Sequence, residues 1–213
     1  MKGYFHLHPP KTGGSSIISA LLEHSSAFRE TYGRFYKSGR LGHHYSPRTI
    51  PADIGSTVTL GIRNPYDRML SMTRWMNSRG IYNNYFTINV HIKAAKRYKK
   101  LQWEDSTAVL HASLQWAANS TLTEWESAVS NECEVKLIRF ENLIEDFQAI
   151  YPVSLLHVNQ VLEPMSMDHI LENFNSQETL NKFNDMYSAD FEKYAYTLIE
   201  DINDLYNRYS TNT

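Results

Sequence analysis

The 213-residue chain predicts an α/β fold, a parallel sheet flanked on both faces by helices. Two observations carry this. Short β-branched and aromatic runs alternate with amphipathic stretches, the pattern of strands joined by helical crossovers. Glycine- and proline-rich loops follow the strands rather than tight hairpin turns. No linker, internal repeat or low-complexity block divides the sequence, so residues 1–213 are expected to form one domain.

The elements follow in order. Gly3–His8 reads as a short strand stopped by Pro9-Pro10. Lys11-Thr12-Gly13-Gly14 is a loop, and Ser15-Ser16 are placed to cap a helix through Ile17, Ile18, Ala20, Leu21 and Leu22. Residues 29–56 are turn-rich. Thr57–Ile62 is a second strand. Asn64-Pro65 opens a helix to about Asn77, with asparagine as cap, proline at the first helical position and Asp67 near the positive end. Residues 80–105 are basic and give no clear element. Residues 106–130 read as two helical pieces broken near Asn119-Ser120. Val135–Phe140 is a third strand, followed by a helix over about 141–150. The C-terminal part, 176–209, reads as helical with a break near Ser188.

Composition narrows the function. Lys and Arg number 21 against 23 Asp and Glu, a formal net charge of −2, which argues against a nucleic-acid coat. Hydrophobic residues make up 42% and aromatics 13%, enough to build a core. The lone Cys133 excludes an internal disulfide and a Cys-rich zinc site, and fits a reducing compartment. No metal site is expected, because His6-x-His8 and His43-His44 lack a third ligand. No apolar run has the length of a membrane span, and the N-terminus lacks the apolar region of a signal peptide. A cytoplasmic protein is expected, with a Golgi lumenal setting only if an anchor has been removed.

The informative unit is strand, PPKTGGSS, helix. Its glycines let the backbone turn several N–H groups toward one spot, and the helix adds its positive N-terminus. Lys11 contributes a cation and Thr12, Ser15 and Ser16 contribute hydroxyls. Lys11 precedes both glycines, whereas the Walker A lysine follows its last glycine, so this is a different anion loop. A second anion-binding segment, Arg63-Asn-Pro-Tyr-Asp-Arg68-Met-Leu-Ser71, begins at the carboxyl end of the second strand. Ligands bind at that edge of a parallel sheet. Arg63 would face the first loop, with Ser71 about two turns into the helix. Arg68 reads as an ion-pair residue and Asp67 as a helix-dipole residue.

Together these segments resemble the sulfotransferases that use 3′-phosphoadenosine 5′-phosphosulfate (PAPS), most closely the carbohydrate-directed branch. His8-Pro9-Pro10-Lys11-Thr12-Gly13-Gly14-Ser15-Ser16 is similar to that family's H-I-P-K-T-G-G-T-S. Arg63, Asn64, Pro65, Arg68 and Ser71 match its R-N-P-x-x-R-x-x-S. Lys136–Leu143 looks like its late strand ending in E-N-L, Leu156–Asn159 like its L-P-H-x-N, and Tyr187–Phe191 with Tyr194 or Tyr196 like its Y-x-x-D-F…Y. Pro9 and Ser15 depart mildly from the pattern, and residues 72–130 are unmatched.

The resemblance implies a P-loop-NTPase-like three-layer fold with a central parallel sheet flanked by helices. It implies that Lys11, Thr12, Gly13, Gly14, Ser15 and Ser16 bind the 5′-phosphosulfate of PAPS, and that Arg63 and Ser71 bind the 3′-phosphate. Lys11 is then the catalytic cation, the acceptor is a carbohydrate, and no metal is required. Gly42–Ile50 resembles a family segment that puts a general base on His44, with His43 the neighbouring alternative and Glu30 or Asp53 the carboxylate alternatives. A P-loop kinase or NTPase, or a non-catalytic nucleotide- or glycan-binding module, are the competing expectations. Residues 91–100, with five lysines and arginines, suggest either a polysaccharide-recruiting patch or a solvated helix face. Trp75, Trp103, Trp116 and Trp125 suggest sugar-stacking or packing residues.

Overall fold

The computed structural model describes residues 4–30, 57–80, 86–98, 120–129, 132–155 and 165–211. The chain groups into two compact units. The first combines Met1–Arg63 with Gln102–Asn159, and the second Asn64–Leu101 with Gln160–Thr213.

The first unit is α/β. Strands β1 (Tyr4–Leu7), β2 (Thr57–Ile62) and β3 (Glu134–Arg139) form a parallel sheet in that order. His6 lies opposite Thr59, and Thr59 opposite Lys136. β2 is buried at every position, which explains its unbroken apolar and threonine run. β3 is more open, with Leu137 exposed. Helix α1 (Gly14–His24) follows β1. A short helix over Leu122–Ser127 is closed by a reciprocal capping box between Thr121 and Glu124 and buries Trp125 completely. A 3₁₀ turn (Phe140–Asn142) leads from β3 into a helix over Leu143–Ile150. Ile17, Ala20 and Leu21 of α1, Phe28, and Leu143, Phe147 and Tyr151 pack around Ile138 on one face of the sheet.

That face also carries a buried polar chain. His6 Nδ1 and the Tyr151 hydroxyl both lie within hydrogen-bond distance of Thr59 Oγ1, at 2.9 and 2.8 Å. The His6 ring is 1% exposed, and burial pushes its pKa from 6.5 to about 3. His6 is therefore a neutral packing residue. His8, which shares its face, is also buried.

The second unit is helical. Its helix over Pro65–Ser78 starts as its sequence dictates. The Asn64 side chain accepts from the Tyr66 N–H at 3.0 Å, and Pro65 fills the first position. Asp67 does more than face the dipole: it accepts from Arg208 Nη2 at 2.9 Å and from the Tyr209 hydroxyl at 2.6 Å, docking the helix over Ile202–Ser210. Arg68 is wholly buried, in keeping with a structural role. Tyr66 packs among Phe174, Phe183 and Phe191 while its hydroxyl donates to Asn184 Oδ1.

The stretch 80–105, which gave no clear element, contains a helix over Ile88–Tyr98, where His91 is buried with Nε2 2.7 Å from the Tyr187 hydroxyl, while Lys93 and Lys96, three residues apart, are both exposed. One expectation needs correction. The break near Ser188 is absent, because the helix over Gln177–Lys193 runs through it, with the Ser188 hydroxyl donating to the Asp185 carbonyl. The helix stops instead where Ala195 adopts φ 55° and the Tyr196 N–H reaches back to the Phe191 carbonyl at 3.0 Å. This left-handed stop normally belongs to glycine, and no glycine marked it in the sequence.

Two stability predictions follow from these contacts. Ala195→Gly should raise stability by about 0.5–1 kcal/mol in urea denaturation, since alanine tolerates the left-handed region poorly; destabilisation would contradict the strained stop. For His6, the unfolded chain takes up a proton below pH 6.5 and the folded one only near 3, so its contribution is complete above 6.5 and is lost as pH falls toward 3. His6→Gln should therefore flatten the loss of stability between pH 6.5 and 4.5 by up to ~1.4 kcal/mol per pH unit. Parallel curves for the two proteins would contradict the assignment.

Candidate functional site

The carboxyl ends of all three described strands converge in the first unit. β1 delivers the 9–14 loop. Within it Thr12 is fully buried, and its hydroxyl donates to the Pro9 carbonyl at 2.7 Å. Thr12 thus braces the loop from inside, and its hydroxyl is already engaged. Lys11 is half-buried and sits at φ 68°, in the left-handed region that lysine rarely adopts. Gly13 follows at φ 83°. A non-glycine residue in this region is strained, and such strain collects at functional sites.

The helix start differs from expectation. Gly13 itself is the N-cap, no side chain caps the helix, and Ser15 and Ser16 lie inside the first turn. Gly13 displaces them because its left-handed backbone turns the chain directly into the helix. Ser15 is exposed and Ser16 buried. Gly14 is required by close approach: a Cβ there would lie 2.1 Å from the His8 ring. The buried histidine thus sits directly beneath the helix start.

β2 delivers Arg63, whose Nη1 donates to the Lys11 carbonyl at 3.2 Å. The lysine loop and Arg63 are therefore in contact. β3 delivers Phe140, and the Arg63 guanidinium lies over its ring, 4.0 Å from the centroid. The same ring borders the loop, because a Cβ on Gly13 would come within 3.2 Å of Phe140 and of Leu143. Sequence reasoning missed Phe140. Its signal was an aromatic residue at the end of the third strand, level with the other two motifs.

Ser71 is buried in the helix over Pro65–Ser78 and belongs to the second unit. His43, His44 and Asp53 lie outside the described residues, as do Trp103, Trp116 and the 156–159 stretch. Glu30 is exposed at the end of a helical turn. Trp125 is buried and Trp75 is 36% exposed. Tyr187, Asp190 and Phe191, which carry the C-terminal likeness, are all buried. Among the described residues no group of three or more His, Cys, Asp or Glu could hold a metal ion, and no helix is long and apolar enough to cross a membrane.

No family model matches the chain, and no curated protein or solved structure is significantly similar to it.

The strained loop generates a direct test. Lys11→Gly should leave stability unchanged or raise it by up to about 1 kcal/mol, because glycine adopts φ 68° without cost from a Cβ. The same variant should lose anion binding measured by calorimetry. A destabilised Lys11→Gly, or one that binds as the parent does, would show that the lysine is there for packing.

Proposed function

We propose that the chain is a PAPS-dependent sulfotransferase that moves a sulfuryl group to a carbohydrate hydroxyl, on a P-loop-NTPase-like three-layer fold. The observation that carries this reading is the hydrogen bond from Arg63 Nη1 to the Lys11 carbonyl, which sets the lysine-led loop and the arginine-led turn side by side at the carboxyl edge of a parallel sheet. A donor with an anion at each end fits such a pair. The 5′-phosphosulfate takes Lys11 and the backbone from Gly13 to Ser15, and the 3′-phosphate takes Arg63.

The reaction is an in-line displacement. The acceptor oxygen bonds to sulfur as the bond from sulfur to the bridging oxygen breaks. The proton of the acceptor hydroxyl passes to a general base, assigned to His44 with His43 next, and the electron pair of the broken bond stays on the departing phosphate. Charge accumulates on that phosphate oxygen in the transition state, and the Lys11 ammonium favours it there over the ground state. Thr12 contributes through the loop it braces rather than through its hydroxyl.

Calorimetry with adenosine 3′,5′-bisphosphate tests the donor site. The parent should bind, and Lys11→Ala and Arg63→Ala should each weaken binding at least about tenfold, the loss expected for one charge-assisted contact. Transfer of radiolabel from PAPS to a glycan panel should persist in EDTA, and His44→Ala should lower it by about 10²–10⁴-fold. Magnesium-dependent consumption of a nucleoside triphosphate would point instead to phosphoryl transfer. Tight nucleotide binding without transfer to any glycan would point to a binding module.

A further inference from the structure

Phe140 has no part in the transfer just described, yet it touches both halves of the site. Its ring lies under the Arg63 guanidinium and also borders Gly13. The turn that carries the ring is held in place. Arg139, the last residue of β3, meets Asp146 through three contacts: its N–H and Nε each donate to Oδ2 at 2.8 Å and its Nη2 donates to Oδ1 at 2.7 Å. This fork closes the 3₁₀ turn that carries Phe140, and the Arg139 contact holds the Asp146 carboxyl below its usual pKa.

We propose that Phe140 is a positioning residue that presents the Arg63 guanidinium to the 3′-phosphate of the donor. This rests on the sulfonucleotide reading of the same site. An arginine side chain has considerable rotamer freedom, and ordering it on ligand binding costs affinity. Arg63 is ordered beforehand. One edge is fixed by the Lys11 carbonyl, and its plane is fixed by the ring, in a half-buried setting that strengthens attraction between cation and ring. Both constraints come from different strand ends, so the guanidinium plane is set before any anion arrives. The ring contributes to phosphate affinity without touching phosphate.

The test uses the whole chain and its Phe140→Leu and Phe140→Tyr variants, each checked by thermal melting. Affinities are measured for adenosine 3′,5′-bisphosphate and for adenosine 5′-monophosphate, which lacks the 3′ group. Phe140→Leu should weaken the bisphosphate about tenfold while changing the monophosphate less than about twofold, and Phe140→Tyr should keep both affinities. Equal losses for the two ligands in Phe140→Leu would mean that the ring only packs the loop at Gly13, and would overturn the proposal. So would an unchanged bisphosphate affinity.

A nucleotide-independent measurement separates this proposal from the reading beneath it. The Arg63 Nε–H resonance should be shifted upfield by the ring in the parent and in Phe140→Tyr, and should lose that shift in Phe140→Leu. No shift in the parent would overturn the proposal at the ring. A ring-dependent shift in a protein that binds neither nucleotide would overturn it through the ligand, and would bring down the sulfonucleotide reading with it.

Discussion

The guanidinium of Arg63 links three separate strand ends. It donates to the carbonyl of Lys11 after β1, it belongs to the residue that follows β2, and it lies on the ring that follows β3. Parallel pairing makes this possible, because the three carboxyl ends share one edge only when the strands run the same way. The register then sets the separation. Without that contact the lysine loop would be a glycine-rich turn and the arginine a surface residue at a helix entrance.

The constraint also explains where the first unit holds strain and where it spends polar groups. Lys11 is kept at φ 68° by a loop braced at both sides, through the buried Thr12 hydroxyl on Pro9 and the Arg63 contact on its own carbonyl. His8 lies against Gly14 and fixes the start of the helix. His6, Thr59 and Tyr151 join β1, β2 and the end of the last helix of that unit through buried hydrogen bonds that only fit one register. The second unit uses aromatic packing around Tyr66 and the Asp67 contacts to Arg208 and Tyr209 for the same purpose, locking a helix that begins immediately after Arg63.

Among the described residues, the three parallel strands and the helix start at Asn64-Pro65 were legible in the sequence itself. β2 ran over the bounds its β-branched stretch announced, and the Asn64-Pro65 start was read from cap chemistry alone. Both signals are local, and local signals survive folding. What failed was set by contacts distant in sequence. Ser15 and Ser16 looked like caps, but Gly13 reached the capping position first through a backbone conformation that the letters do not show. Ala195 ends a helix in a conformation usually left to glycine, so no stop was visible. Within the site, the contact of Arg63 with the loop could be read from two motifs at two strand ends, whereas Phe140 could only be found once the third strand was laid beside them.

A crystal structure of the chain with adenosine 3′,5′-bisphosphate tests whether the lysine-led loop and Arg63 grip opposite ends of one donor. The 5′-phosphate should lie against Lys11 and the N–H groups from Gly13 to Ser15, with the 3′-phosphate on a guanidinium still lying over Phe140. A nucleotide bound away from the carboxyl edge of the sheet, or one that turns its 3′-phosphate from Arg63, would contradict it.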